Sequence, residues 1–276
     1  MAEQRRDLEL TVQLLWRGKR PGSRGPRGSL TLDEIVGTAI AIAEDEGLAG
    51  VSMRKIAERL GVTTMTLYRY VPGKEDLLDL MFDMGTGPPP AEDWPEGWRE
   101  GLSAYARATY EKLLAHPWLL DIPLQGPPLG PNNLAWMESA LAVLEGTHLR
   151  PDQKIGVLML VTGFCLSEAR MSVSLERSAS HTGVTYEEWG RVYERLLRDV
   201  VRSGRFPSLA RVLADGAFAE ESEGPVEDFE YGLAILLDGI AALMRANALD
   251  GPGGAGGRPA PPAPPAPQSA QGRARP

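Results

Sequence analysis

The chain has 276 residues, 43% hydrophobic and 24% charged, with a net charge of −8. That is a globular balance rather than a disordered one. No apolar run reaches 18 residues, the longest being the 12 of 155–166, and the sole cysteine, Cys165, excludes an intramolecular disulfide or a thiolate zinc cluster.

The three histidines, His116, His148 and His181, are too scattered for a metal site, so no metal and no cofactor is expected. The N-terminus carries Glu3, Asp7 and Glu9 without a hydrophobic stretch, which predicts no secretory signal and a cytoplasmic setting. The charge is unevenly spread. The first 80 residues hold 12 basic and 12 acidic side chains, the last 26 carry three arginines and no acid, and residues 81–250 are left with −11. Two basic stretches stand out. Arg17, Lys19, Arg20, Arg24 and Arg27 lie without an acid among them, and Arg54, Lys55, Arg59, Arg69 and Lys74 face only Glu58. The pattern suggests an anion-binding head on an acidic body.

In chain order, residues 8–16 form a short apolar patch with the makings of a turn of helix. Residues 1–30 are read as a flexible basic arm, either DNA-directed or simply solubilising. Thr31 and Glu34 make a capping box. Ile35, Ala39 and Ile42 repeat at helical spacing behind it, and Gly47 stops the helix. A second helix is expected over 52–60, and a third from Thr63 or Thr64 to Tyr70. A fourth runs from Lys74 to about Met84, before the Gly/Pro-rich 85–90. Further helices are expected over 94–115, 117–122, from Asn132 or Asn133 to Glu145, and over 152–180. The apolar 155–166 places that last one centrally in a bundle. Thr185 and Glu188 repeat the capping box and open a helix to about Val201. The final helix covers 226–248, with Phe229, Leu233, Leu236, Leu237, Ile240, Leu243 and Met244 on one face. No segment alternates like a strand. Residues 251–276, with 8 prolines and 6 glycines, are expected to be disordered.

Residues 52–74 carry the functional signal. Ile56 and Leu60 share a helix face, and Ala57 is small enough for close helix approach. Gly61 sits where a left-handed backbone is cheapest, Val62 plugs the turn, and Leu67 returns to the core. The second helix then points Thr64, Met65, Thr66, Tyr68, Arg69 and Tyr70 outward, side chains suited to phosphates and base edges in a major groove. An ordinary helical hairpin with a basic surface is the plainer alternative. Taken singly, Tyr68 fits a packed aromatic and Lys74 a solvated charge.

Gly61-Val62, Thr66-Leu67-Tyr68, Tyr70 and Lys74, with the preceding Ala43-Glu44-Asp45-Glu46-Gly47, resemble the DNA-binding head of the TetR family of transcriptional repressors. Phe229-Glu230-Tyr231-Gly232-Leu233, Leu237-Asp238-Gly239-Ile240 and Leu113-Leu114-Ala115-His116-Pro117-Trp118 are similar to tetracycline-repressor-type C-terminal domains. The resemblance implies an all-α fold, with a three-helix DNA-binding domain at 31–78 and a helical bundle at 79–250 for ligand binding and dimerisation. It implies a homodimer on double-stranded operator DNA, released by a small-molecule effector, with no membrane partner. By matched position Arg54 reads a base, Ser52 meets phosphate, and Thr64 and Met65 face base edges. Thr66, Tyr68, Arg69, Tyr70 and Lys74 hold the backbone. The tetracycline repressor has an amide and a proline where this chain has Thr64 and Met65, so its operator does not carry over.

For the effector, matching along the first body helix implies Tyr105 and Thr109. Thr162 of the central helix is a further candidate, Trp136 and Cys165 follow from their apolar helical setting, and Glu168, a lone acid next to an apolar run, suits a cationic ligand. Ordinary core or interface is the alternative for all six. The magnesium–tetracycline ligands are not matched, because the residues around 119–124 are apolar or proline. Gly156, Gly163, Gly232 and Gly239 either permit close helix contact between subunits or thin the bundle internally. An enzyme is disfavoured by the lack of a glycine-rich phosphate loop, a nucleophile elbow or paired metal ligands. A protein-only adaptor has no need of the outward Thr/Tyr/Arg face.

Overall fold

The computed structural model describes residues 8–17, 30–90, 94–123, 126–217 and 224–250. Helix is the only regular secondary structure among the described residues. The helices are α1 (Leu8–Arg17), α2 (Leu32–Glu46), α3 (Met53–Leu60), α4 (Thr64–Tyr68), α5 (Lys74–Thr86), α6 (Trp98–Ala115), α7 (Pro131–Val143), α8 (Pro151–Thr182), α9 (Tyr186–Val201), α10 (Pro207–Ala214) and α11 (Pro225–Asp250), with short 3-10 turns at Leu48–Gly50 and Pro117–Asp121.

Helices α2 to α4 form the head. The Thr31 hydroxyl accepts from the Glu34 amide at 3.2 Å while the Glu34 carboxylate accepts from the Thr31 amide at 2.8 Å, closing the capping box. Ile35, Val36, Ala39 and Ile42 of α2 are fully buried against Ile56, Leu67 and Val71. Helix α5 leaves the head and packs on α2, α1, α7 and the 117–121 turn, so it belongs to head and body at once.

In the body, α6 and α8 lie against each other over the greatest length, with α7 and α11 packed beside them. Burial of Phe229, Leu233, Leu237, Ile240 and Met244 fixes the inner face of α11. Helices α9 and α10 pair with each other, and α9 packs on α8.

Several expectations are corrected. Residues 1–30 are not an arm throughout, because Leu8–Arg17 is helix α1, with Leu14 and Leu15 buried; residues 18–29 lie outside the described residues. Helix α4 ends at Tyr68 rather than Tyr70, and Thr63, not Thr64, is its cap. Helix α5 continues through Gly85 to Thr86. The Trp118 ring lies so close over Gly85 that a Cβ there would collide with it, and the glycine serves this close approach rather than a break. Helix α6 starts at Trp98, because Pro95 and Gly97 (φ 89°) hold the chain out of helix before it. Helix α10 was not anticipated at all.

Helix α8 is central, packed on α6, α7, α9, α11 and the 117–121 turn, but it is not covered on most sides: Ile155, Met159, Leu160 and Met171 are exposed along it. By length and composition α8 and α11 are apolar enough to cross a membrane, although no unbroken apolar run suggested it, and only 33% and 22% of those windows are buried. Around Gly156, Gly163 and Gly239 there is open space, whereas Gly232 lies beneath the Phe164 ring and thins the bundle internally. The expected tail, 251–276, lies outside the described residues.

Candidate functional site

The turn between α3 and α4 is set by its caps. Ser52 Oγ accepts from the Lys55 amide at 3.2 Å at the start of α3. Gly61 ends that helix with a left-handed φ of 67°, its amide returning to Ala57 and Glu58. Thr63 Oγ1 then accepts from the Thr66 amide at 3.3 Å and opens α4. Leu67 is fully buried, which turns the rest of α4 outward.

On that outward surface Met65 is 72% and Tyr68 45% exposed, and Arg69 and Lys74 are exposed beside them. The side chains of Tyr68, Arg69 and Lys74 have no hydrogen-bond or ion-pair partner among the described residues. The Tyr68 hydroxyl and the two cations remain available to an external anion, while Met65 offers apolar contact. Thr64, Thr66 and Tyr70 are half-buried. The Thr66 hydroxyl lies 3.0 Å from that of Thr63, and Tyr70 packs on the head core. Ser52, the N-cap of α3, and Arg54 within that helix are both exposed. Arg54 is not free, since its Nε donates to Glu58 Oε1 at 2.8 Å, and this hydrogen bond raises the guanidinium pKa above its ordinary value. The remaining basic residues of α3 are neutralised internally. Lys55 pairs with Glu46, and Arg59 donates to Asp45 at 3.0 Å. The positive charge is therefore concentrated at Arg69, Lys74 and the outer edge of Arg54. Sequence reasoning missed these pairings, although the acidic run 44–46 was their visible signal.

Two polar joints fasten head to body. Glu44 Oε1 of α2 accepts from the Trp118 indole at 2.7 Å and lies 2.7 Å from His116 Nδ1. Asp83 of α5, 3% exposed, caps α7. Its Oδ1 accepts from the amides of Asn132 and Asn133 at 2.9 Å each and from Asn133 Nδ2 at 3.0 Å, while its backbone carbonyl accepts from Asn132 Nδ2. A buried carboxylate survives there because three N–H donors and the positive end of a helix surround it. Neither joint was foreseen.

Five of the six effector candidates converge between α6, α7 and α8. Tyr105 is buried, with Trp94 and Trp136 around it at ring-centre distances of 6.1 and 5.7 Å. Burial pushes the Tyr105 phenol above its ordinary pKa, and the hydroxyls of Thr162 and Thr109 beside it partly offset this. The Trp136 indole donates to the Gly87 carbonyl at 3.0 Å, and Thr109 Oγ1 to the Tyr105 carbonyl at 2.8 Å. Cys165 is fully buried, its thiol pushed up to about 12 by burial, and its Sγ donates to the Ala106 carbonyl.

Glu168 stands apart. Its pKa is raised by burial and then by Asp228, in the neighbourhood of Tyr110, whose hydroxyl lies 2.9 Å from Ser172 Oγ and whose ring stacks on Phe229 at 4.2 Å. Arg107 clasps Glu230 with two hydrogen bonds of 2.5 and 2.7 Å, joining α6 to α11 and holding the Glu230 carboxyl below its ordinary pKa. No group of three or more His, Cys, Asp or Glu that could hold a metal occurs among the described residues.

Comparison with known proteins is consistent across the chain. Residues 35–81 match the family described as bacterial regulatory proteins, tetR family, and residues 90–244 the tetracyclin repressor-like C-terminal domain. The HTH-type transcriptional repressor DrrR1 of Streptomyces coeruleorubidus is 40% identical over 242 residues, covering 86% of this chain and 87% of its own. The tetracycline repressor protein class A of Escherichia coli is 25% identical over 75% of this chain and 88% of its own. The crystal structure of the Streptomyces coelicolor protein ActR in complex with actinorhodin superposes with a TM-score of 0.64 at 29% identity, covering 79% of this chain and 98% of that one.

Proposed function

The chain belongs to the TetR family of bacterial regulators, and from that premise we propose that it is a repressor whose α4 enters the major groove of an operator half-site and whose body releases it on binding an aromatic effector. The observation that carries the DNA reading is the outward set on α4 and α5. Met65, Tyr68, Arg69 and Lys74 are exposed and, among the described residues, unpartnered on a helix-turn-helix whose other cations are internally neutralised. Arg54, Thr64 and Met65 are assigned to base edges. Ser52, Thr66, Tyr68, Arg69, Tyr70 and Lys74 are assigned to the sugar–phosphate backbone. The DNA-binding domain is taken as 31–78 and the effector and dimerisation domain as 79–250. The chain is read as having no catalytic role, in line with relatives named as regulators.

The protein acts as a homodimer. The exposed apolar residues of α8 and α11, Met159, Leu160, Met171, Tyr231 and Ile235, are the natural surface for the second copy. The effector site is assigned to Tyr105, Thr109, Trp136, Thr162 and Cys165, with Glu168 at its margin. Three aromatic rings and two hydroxyls suit a planar, oxygen-bearing aromatic molecule. The solved relative ActR is described with actinorhodin bound. Effector binding shifts the population toward dimers whose heads no longer fit the half-site spacing.

The test is binding to the DNA flanking the protein's own gene across a salt series. A specific complex is expected, with log affinity falling steeply against log salt. Lys74→Ala should lower the magnitude of that slope by about 0.9 for each phosphate that is no longer neutralised. Absence of any specific complex overturns the repressor reading, and an unchanged slope shows that Lys74 neutralises no phosphate.

A further inference from the structure

Helix α1 lies outside both stretches that match the family, 35–81 and 90–244, yet it is docked rather than loose. Thr11, Leu14 and Leu15 are buried along α5. The Thr11 hydroxyl donates to Asp76 Oδ1 at 3.0 Å, in the first turn of α5. At the other end of α1, Trp16 Nε1 donates to the Leu129 carbonyl at 3.1 Å, in the segment leading into α7. Between these fastenings the packing is incomplete. A cavity of about 240 Å³ lies between α1, α5 and residues 126–130, walled by Leu8, Leu15, Phe82, Ile122 and Leu129.

Helix α1 thus spans the two elements that Asp83 already joins, α5 and the start of α7. Without α1, the polar attachments of α5 to α7 are Asp83 and, one turn on, the Gly87 carbonyl that accepts from the Trp136 indole. Both lie at the C-terminal end of α5, so its N-terminal half can pivot about them, and with α1 in place α5 is mounted at both ends. A tilt of α5 against α7 then breaks either the Thr11–Asp76 bond or the Trp16–Leu129 bond, depending on which partner α1 follows. We propose that α1 is a strap that fixes the tilt of α5 against α7 and so limits how far the body can move the heads. The proposal rests on α5 being the link between effector site and head.

The test uses the full chain and hydrogen exchange, which needs neither operator nor effector. The double variant Thr11→Val with Trp16→Phe removes both fastenings and keeps the apolar packing. Exchange of the α5 amides, and of the Asn132 and Asn133 amides held by Asp83, should quicken roughly tenfold, as expected for the loss of two hydrogen bonds of ordinary net strength. Exchange on α2 and α3 should stay unchanged, and Thr11→Ser, which keeps the hydroxyl, should behave as the parent. Unchanged α5 exchange, or equal acceleration throughout the head, overturns the strap. Should the double variant not fold, Trp16→Phe alone serves, with acceleration at Asn132 and Asn133 as its readout. Operator affinity is then measured on the same variant. A severalfold fall supports the control of the heads, and faster exchange with unchanged affinity overturns it. The repressor reading itself fails separately, on the parent protein's binding to DNA.

Discussion

Arg54, proposed above to read a base, is held in place by a neighbour on its own helix. Its side chain is 85% exposed, yet Glu58 one turn along holds its Nε at 2.8 Å and leaves the two terminal nitrogens of the fork outward. An exposed pair of this kind contributes little to stability. Its effect is to restrict the rotamers that Arg54 samples before meeting a guanine edge. Replacing Arg54 by Ala is therefore expected to weaken operator binding by about 1–3 kcal/mol and to relax preference at a single base pair per half-site. Binding to a panel of singly substituted operators measures both, and a uniform loss across the panel would assign Arg54 to phosphate instead. At this scale the outward set on α4 was legible, because one buried leucine and the helical period fix which way the neighbours point. The internal neutralisation of Lys55 and Arg59 was not, since it depends on how α2 crosses α3 rather than on spacing within either. Tyr105 and Thr109 followed from resemblance and Trp136, Thr162 and Cys165 from their helical setting, whereas Trp94 joins the cluster from a loop that no periodicity marks.

Helix boundaries read well wherever a side chain supplies the stop. The Thr31 and Thr185 capping boxes and the Gly61 turn all stand where the sequence put them. Gly61 has open space where a Cβ would sit, so its requirement is one of conformation alone. Gly61→Ala is expected to cost about 1–2 kcal/mol, the penalty of a left-handed backbone for a residue with a Cβ. Urea unfolding followed in the head should show the loss, and an unchanged midpoint would mean that the turn relaxes to another geometry. Helix α1, expected only as a turn of helix, and helix α10, not expected at all, were hard to read for physical reasons. Helix α1 abuts a Gly/Pro/Arg stretch and derives its order from α5 rather than from its own ten residues. Helix α10 is eight residues long, begins at Pro207 and borrows its order from α9.

The whole molecule is legible in its charge distribution more than in its net charge. Residues 81–250 carry −11, so phosphate contact is expected at the heads alone, with long-range repulsion from the body helping to exclude misplaced DNA. Two half-sites demand two heads at a fixed spacing, and that makes dimerisation part of recognition. Met159→Asp, on the exposed apolar side of α8, is expected to give monomers in sedimentation and to lose specific operator binding, while α3 and α4 keep their fold. A variant that stays dimeric would move the interface elsewhere. A last consequence comes from the buried cap on α7. A Cβ placed on Gly130 would collide with Asp83 Oδ1, so any side chain at 130 evicts the carboxylate that holds α5 to α7. A substitution at 130 is therefore felt at 83, and it resets the joint between head and body without altering a residue proposed to face DNA or effector.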